Sequence, residues 1–305
     1  MNVQTLLTFY LINSQAPFKD RNINEEIANS LIYVIEKYYE PRDSAFIICL
    51  SYERENTRDF YQDLSEILFR SYDNIKTQIV VKETQGLELK PIPTVKGKLT
   101  NFIFHMLVVD SVKSFLNIDL ASKVKNYDTN EFYHIFLHNK DRFLDNDIRN
   151  ILEYCWSNYM INVNVVIQTA AGDIIVYTYF PFNESHCNEV IPVEINRFQN
   201  GVMVNPDLFP EKLQNMHKCP VRVTPFHTPP FFSLNDRRNG TTDDEAINGF
   251  EGLLLRELSL LMNFTIEIIL PPKKDERGHI FNNFSTGAID MLEQTNQKEN
   301  QQQAN

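Results

Sequence analysis

Apolar and polar residues follow two rhythms along this chain, and where the rhythm changes an element ends. Ile23, Ile27, Leu31, Val34, Ile35 and Tyr38 recur at helical spacing after Asn22, which predicts an amphipathic helix. Ala45 to Leu50 is an unbroken apolar run of strand length, the pattern of a strand covered on both faces. A helix follows with Phe60, Leu64, Ile67 and Leu68 on one side, then a strand from Thr77 to Lys82. Pro91-Ile92-Pro93 and Gly97 mark a surface connection, and Phe102 to Val109 returns as a second buried strand. A short helix over 112–116, a strand over 133–137 and a helix bearing Ile148, Ile151, Leu152, Cys155 and Tyr159 continue the alternation. Strands and helices taking turns imply an open, mostly parallel sheet with helices on both faces.

The pattern then changes. Residues 161–168 and 174–180 are strand-like and joined by Ala170-Ala171-Gly172-Asp173, so they predict an antiparallel hairpin at the sheet edge. From Pro181 to Lys218 no periodicity is visible, only turn signals such as Asn200-Gly201, Asn205-Pro206 and Phe209-Pro210, and this stretch reads as a connection. Beyond it, Val221 and Val223 alternate with Arg222 and Thr224 until Pro225 removes a backbone donor. Phe250, Leu253, Leu254, Leu258 and Leu261 recur at helical spacing, with Asn248 and Glu251 set for a capping box. Phe264, Ile266, Ile268 and Leu270 form a last strand, stopped by Pro271-Pro272. Strand, helix and strand make one βαβ unit, expected to be right-handed with parallel strands. Residues 293–305 are Gln/Asn-rich with almost no apolar side chain, too little surface to bury for folding.

Composition narrows the classes. With 305 residues, 43% of them hydrophobic, the chain can bury one substantial core or two modest ones. A net charge of −11 argues against a nucleic-acid binder, which needs a basic stripe. No run reaches the ~18 apolar residues that span a bilayer, and the most apolar helix is broken by Arg256 and Glu257. Near the start, Leu6 to Ile12 is a short apolar core followed by Ser14-Gln15-Ala16. Residues 1–16 therefore read either as a cleaved signal peptide or as a first strand. Asn183, Asn239, Asn263 and Asn283 each begin an Asn-x-Ser/Thr triplet, a glycan acceptor in a secreted chain.

Candidate chemistry is sparse. No Gly-x-Ser-x-Gly, Gly-x-x-x-x-Gly-Lys-Ser/Thr, His-Glu-x-x-His or Gly-x-Gly-x-x-Gly is present, so no enzyme class, cofactor or metal is indicated. Asp243-Asp244-Glu245 in a Thr/Asn-rich loop reads as solvated carboxylates and not as a cation site. Cys187 and Cys219 flank the loop-rich connection, which would gain from a disulfide. They could alternatively join His186 and His217 as nitrogen and sulfur ligands of a zinc-like site. Cys49 and Cys155 lie in apolar surroundings and read as buried thiols.

One stretch carries a family resemblance. Val221-Arg222-Val223-Thr224-Pro225, the Thr228-Pro229-Pro230-Phe231-Phe232 corner, Gly249-Phe250-Glu251-Gly252 opening a leucine-rich helix, and Asn263-Phe264-Thr265 resemble the start of the ligand-binding domain of ionotropic glutamate receptors. The likeness is greatest to their divergent insect chemosensory branch, and Gly278-His279-Ile280 and Thr286 to Leu292 extend it. Weaker likeness to the short amino-terminal domain of those receptors runs through Trp156 to Ile167 and from Phe182 to Pro220.

The resemblance implies a mixed α/β chain in five parts: a leader over 1–16, an α/β domain over 17–182, a connection over 183–218, the first lobe of a periplasmic-binding-like ligand trap over 219–292, and a disordered tail over 293–305. It favours the Cys187–Cys219 disulfide. It implies that Thr228, Pro230, Phe231, Arg277 and His279 border a ligand cleft. Glutamate-binding relatives carry an acidic residue where this chain has Thr228, which argues against glutamate as the ligand. In a complete receptor the ligand-gripping arginine, the second lobe and the membrane spans follow Leu292, so this chain is expected not to conduct ions alone. The expected partners are a small-molecule ligand and sister subunits at the extracellular face of the plasma membrane. The rival expectation is a secreted or cell-surface binding module that needs no channel.

Overall fold

The computed structural model describes residues 25–39, 45–70, 79–85, 103–118, 120, 131–138, 144–169, 171–235, 243–272, 276–282 and 284–292. The leader over 1–16, the Pro91–Gly97 connection, the tail over 293–305, Asn239 and Asn283 lie outside these residues.

An eight-stranded sheet dominates the described chain. In chain order it comprises β1 (Ala45–Tyr52), β2 (Ile79–Gln85), β3 (Ile103–Val109), β4 (Glu131–Leu137), β5 (Val163–Gln168), β6 (Ile174–Tyr179), β7 (Pro192–Gln199) and β8 (Val202–Met203). Their spatial order is β2-β1-β3-β4-β5-β6-β7-β8. The first five are parallel and the last three join antiparallel. The direction of winding reverses between β1 and β3, the switch point of a doubly wound sheet.

Helices cover both faces because the strands are apolar on both. On one side, α1 (Glu25–Val34), prolonged by a π turn over Ile35–Tyr39, and α2 (Glu55–Arg70) pack Ile27, Leu31, Val34 and Leu64 against Ile48, Phe104, Met106, Val108 and Phe136. On the other, α3 (Val112–Leu116) and α4 (Leu144–Ser157) pack Phe115, Ile148, Ile151, Leu152 and Cys155 against Leu107, Val109, Ile135 and Val165. α3 starts in a capping box between Ser111 and Ser114. α4 carries Asp145 and Asp147 in its first turn, complementing the positive end of the helix dipole. Tyr159, expected on this helix face, lies past the helix end with φ 58° and is mostly exposed.

The connection expected over 183–218 contains the last two strands of the sheet, β7 and β8. β7 pairs with β6 around a register shift at Val176/Tyr177, and β8 pairs with β7. The alternation was hidden because the inward side of β7 carries the polar Asn196. Its Nδ2 donates to the carbonyl of Asn205 at 2.7 Å and its Oδ1 accepts from the Asn205 amide at 2.9 Å. The chain after β8 is strapped down in the same manner. Asn164 Nδ2 donates to the Leu208 carbonyl at 2.7 Å, and Tyr38 donates to that of Pro206. Lys212 Nζ donates to the carbonyl of Ile161 at 2.5 Å. A segment that looks structureless in sequence thus has backbone groups satisfied by side chains from β5, β7 and the π turn, and it sends Lys212 back to the large unit.

The last part is a smaller α/β lobe. β9 (Pro220–Val223) pairs in parallel with β12 (Thr265–Ile268), and α6 (Phe250–Met262) crosses between them. A second ribbon pairs β10 (Ser233–Leu234) with β11 (Ile247–Asn248), which follows the short α5 (Asp243–Ala246). Met216, Phe232, Ile247, Phe264, Ile266 and Ile268 form its core. The expected Asn248/Glu251 capping box is absent: α6 is capped by Gly249, with no side-chain bond. Instead Phe250 N–H donates to the Pro230 carbonyl at 3.2 Å and Glu251 N–H to that of Phe231 at 2.9 Å. Gly249 sits at φ +88°, and a Cβ there would lie 2.4 Å from the Phe231 oxygen. The corner's backbone therefore replaces a side-chain cap, and only glycine lets it come that close.

Candidate functional site

Two places lie at the strand carboxyl ends, where open α/β sheets hold ligands. The first is the corner that the sequence singles out. Beyond the end of β9, Val223, Thr224, Pro225, Phe226, Thr228 and Phe232 face Glu251, Leu254, Leu255 and Leu258 of α6 across a groove of about 320 Å³. Thr228 and Phe232 close the corner: the Thr228 amide donates to the Phe232 carbonyl at 2.9 Å, and the Phe232 amide returns a bond to Thr228 at 3.1 Å. The Pro229-Pro230 peptide is cis. The walls are mostly apolar, with Thr224, Thr228 and Glu251 as the polar residues. Such a groove suits an apolar body with one polar or cationic end.

Of the five residues expected at a cleft rim, Thr228 lines this groove. Pro230 and Phe231 lie outside its lining and present their carbonyls to α6, with the Phe231 ring exposed. Arg277 and His279 are on the neighbouring loop, which is tied to the corner by Glu276, whose Oε2 accepts the His227 amide at 3.2 Å. That loop is itself closed by reciprocal bonds between His279 and Thr286. Neither Arg277 nor His279 lines the groove. Asp243 is employed structurally, its carboxylate accepting the Ile268 amide at 2.8 Å. Among the described residues no group of three or more His, Cys, Asp or Glu could hold a metal ion.

The second place is the switch point of the large sheet, which no single stretch of sequence reveals. Asp110, fully buried after β3, accepts from the amides of Glu53 and Arg54 at 3.1 Å and from the Thr57 hydroxyl at 2.9 Å. Ser111 donates to Glu53 at 2.9 Å, and Lys113 pairs with the same carboxylate. His138, after β4, stacks on Phe60 of α2 with ring centroids 3.9 Å apart. Three loops thus meet at the carboxyl edge, and the buried Asp110 side chain ties those after β1 and β3 together. Replacing Asp110 with Ala leaves two amides and a hydroxyl without their acceptor. It is expected to cost about 3 kcal/mol in urea unfolding, whereas Asp110→Asn keeps one acceptor and costs less.

The profile of a protein family described as "Putative ionotropic receptor, ligand binding domain" matches residues 17–215. That span is most of the chain. This protein belongs to the ionotropic receptor ligand-binding-domain family. No curated protein matches it. The matched span takes in the whole eight-stranded sheet, its switch point and the strap through Lys212, and it stops before the Cys219–Leu292 stretch whose motifs first suggested receptors. Cys187, between β6 and β7 of this receptor domain, is disulfide-bonded to Cys219, the residue before β9, with Cα atoms 5.5 Å apart. Both thiols are consumed, so the alternative zinc-like site has lost its sulfur ligands. Cys49 and Cys155 are buried free thiols. Of the glycan triplets, Asn183 folds into a turn whose Oδ1 accepts from Ser185 and His186. Asn263 is the left-handed C-cap of α6, and its Nδ2 donates to Asn215 at 2.6 Å.

Proposed function

We propose that this chain is the extracellular amino-terminal region, with part of the ligand-binding region, of a ligand-gated cation channel used in chemosensation, in the insect-type branch of ionotropic receptors. Residues 17–182 are the amino-terminal α/β domain, 219–292 are the first lobe of the ligand trap, and 183–218 join the two. The ligand is a small molecule held against Thr228 and its neighbours. Asn183, Asn239, Asn263 and Asn283 are its glycan acceptors in the secretory pathway, and sister subunits are its partners in the assembled receptor. No enzymatic activity is part of this reading.

The observation that carries it is the uncovered face of α6. Leu253, Leu254, Leu260 and Leu261 are each more than half exposed, on a helix whose lobe has two two-stranded ribbons, β9–β12 and β10–β11, among the described residues. Exposed leucines grouped on one helix mark a surface built to be covered. A self-sufficient secreted module would bury that face. Among the described residues no helix is long and apolar enough to cross a membrane, so channel function requires spans from elsewhere in the receptor. Sequencing the transcript beyond the codon for Leu292 is the test. The reading requires a strand bearing an arginine, then apolar membrane spans. A stop codon in every transcript would favour the free-standing module.

A further inference from the structure

We infer that residues 181–219 form a rigid two-point joint that passes displacements of the large α/β unit directly to the base of the C-terminal lobe, with Trp156 as the positioning residue on the α/β side. Two routes cross the junction. In the first, Trp156 of α4 packs edge-on against Phe182 at 5.9 Å and against Tyr179 at 5.8 Å. Its indole Nε1 donates to Asn188 Oδ1 at 2.9 Å. Phe182 packs in turn onto the core of the C-terminal lobe and forms a bridge with Cys187. Cys187 is bonded to Cys219, the residue before β9. The carbonyl of Cys219 then accepts the Thr265 amide at 3.1 Å.

In the second route, the strap is pinned to the α/β unit by Lys212, whose Nζ also lies 4.2 Å from the centre of the Tyr179 ring. Four residues later the strap is fastened to the end of α6. The Met216 amide donates to the Met262 carbonyl and the Lys218 amide to that of Asn263, both at 2.7 Å. Tyr179 touches both routes, so the two begin from one residue at the sheet edge.

Backbone conformation supports a fixed joint independently of these contacts. Asn188, His217 and Lys218 all lie at positive φ, at 57°, 51° and 63°. Non-glycine residues hold that conformation at a cost, and they persist there only where surrounding structure dictates it. A flexible tether would relax all three. The junction instead concentrates them where the disulfide, the aromatic contacts and the α6 bonds converge.

The test is a distance measurement in the full chain. Ketone-bearing residues placed at Arg149 on α4 and Leu260 on α6, both exposed, accept spin labels without touching the thiols. Pulsed electron resonance then reads the distance distribution between the two units. A single narrow distance is expected for the native chain. It should stay centred in the Trp156→Ala/Cys187→Ser/Cys219→Ser chain, which cuts the first route, and in Lys212→Met, which unpins the second, because one route remains in each. It should broaden severalfold when all four changes are combined and circular dichroism shows both units folded. A broad distribution in the native chain overturns the joint, as does a folded fourfold variant as narrow as the native chain. If the fourfold variant does not fold, the width in the native chain decides alone.

Discussion

Acidification from pH 6.5 to about 3 is expected to remove about 4–5 kcal/mol of stability through His134 alone. This side chain lies in the middle of β4, 1% exposed, registered between Met106 on β3 and Asn164 on β5. Its Nδ1 has no hydrogen-bond partner, and the neighbouring Asn164 Oδ1 is likewise unpaired. Burial without a compensating charge pushes its pKa down to about 3, because the imidazolium would have to be desolvated. In the unfolded chain the same group takes up a proton near pH 6.5. Below that value the unfolded state binds a proton that the folded state refuses, so stability falls with pH until the folded value is reached.

The difference between native and His134→Leu chains isolates this contribution from that of the many carboxylates. Urea unfolding across pH 7 to 4 should show the variant gaining on the native protein by up to about 1.4 kcal/mol per pH unit below 6.5. Above pH 7 the gap should be constant. A gap independent of pH throughout the range would show that the imidazole charges freely in the folded chain.

The second large effect runs in the alkaline direction. Lys212 is 5% exposed, and none of the described carboxylates pairs with it. It has a backbone carbonyl, the face of Tyr179 and the buried thiol of Cys155 around it. Desolvation lowers its pKa to about 7. The same burial raises those of Cys155 and Tyr179, so neither supplies a counter-charge near neutrality. As pH climbs from about 7 towards 10.5, the folded chain releases a proton that the unfolded chain retains, and stability rises by about 4–5 kcal/mol. Lys212→Met keeps the aliphatic stem and removes the charge. It should abolish that rise and melt higher than the native chain at pH 7. An unchanged alkaline slope in the variant would falsify the assignment.

These two residues also show where sequence reading succeeds and where it stops. The run from Phe102 to Val109 announces a doubly covered strand, and Ile148, Ile151, Leu152 and Cys155 announce the helix that covers it, because burial repeats at the period of the backbone. The hairpin over 161–180 and the strand-helix-strand at Val221 to Ile268 are legible for the same reason. β7 is not legible, since its inward position is Asn196 and the groups that satisfy it belong to Asn205, which no periodicity connects to it. The α6 cap was misplaced for a related reason. Asn248 and Glu251 have the right types at the right spacing, but the corner at Pro230 and Phe231 arrives from elsewhere and caps the helix through Gly249.

The candidate site divides along the same line. Thr228 and the two linked cysteines are contiguous with recognisable motifs. Glu53, Asp110, Ser111 and His138 are separated by long stretches of chain and become neighbours only because β1, β3 and β4 lie side by side. Lys212 as a pin could not be foreseen, since a lone lysine in a polar loop is ordinarily solvated.

The placement of Asp110 has a consequence for what can dock at the edge of the large sheet. In doubly wound folds the amino end of the first crossover helix is where phosphorylated metabolites are usually held, by exposed amides and a positive pole. Here the Asp110 side chain, shut off from water, already occupies that seat and takes up the Glu53 and Arg54 amides and the Thr57 hydroxyl. A phosphate approaching that helix end would find those backbone donors already taken and would have to displace the Asp110 side chain to reach them.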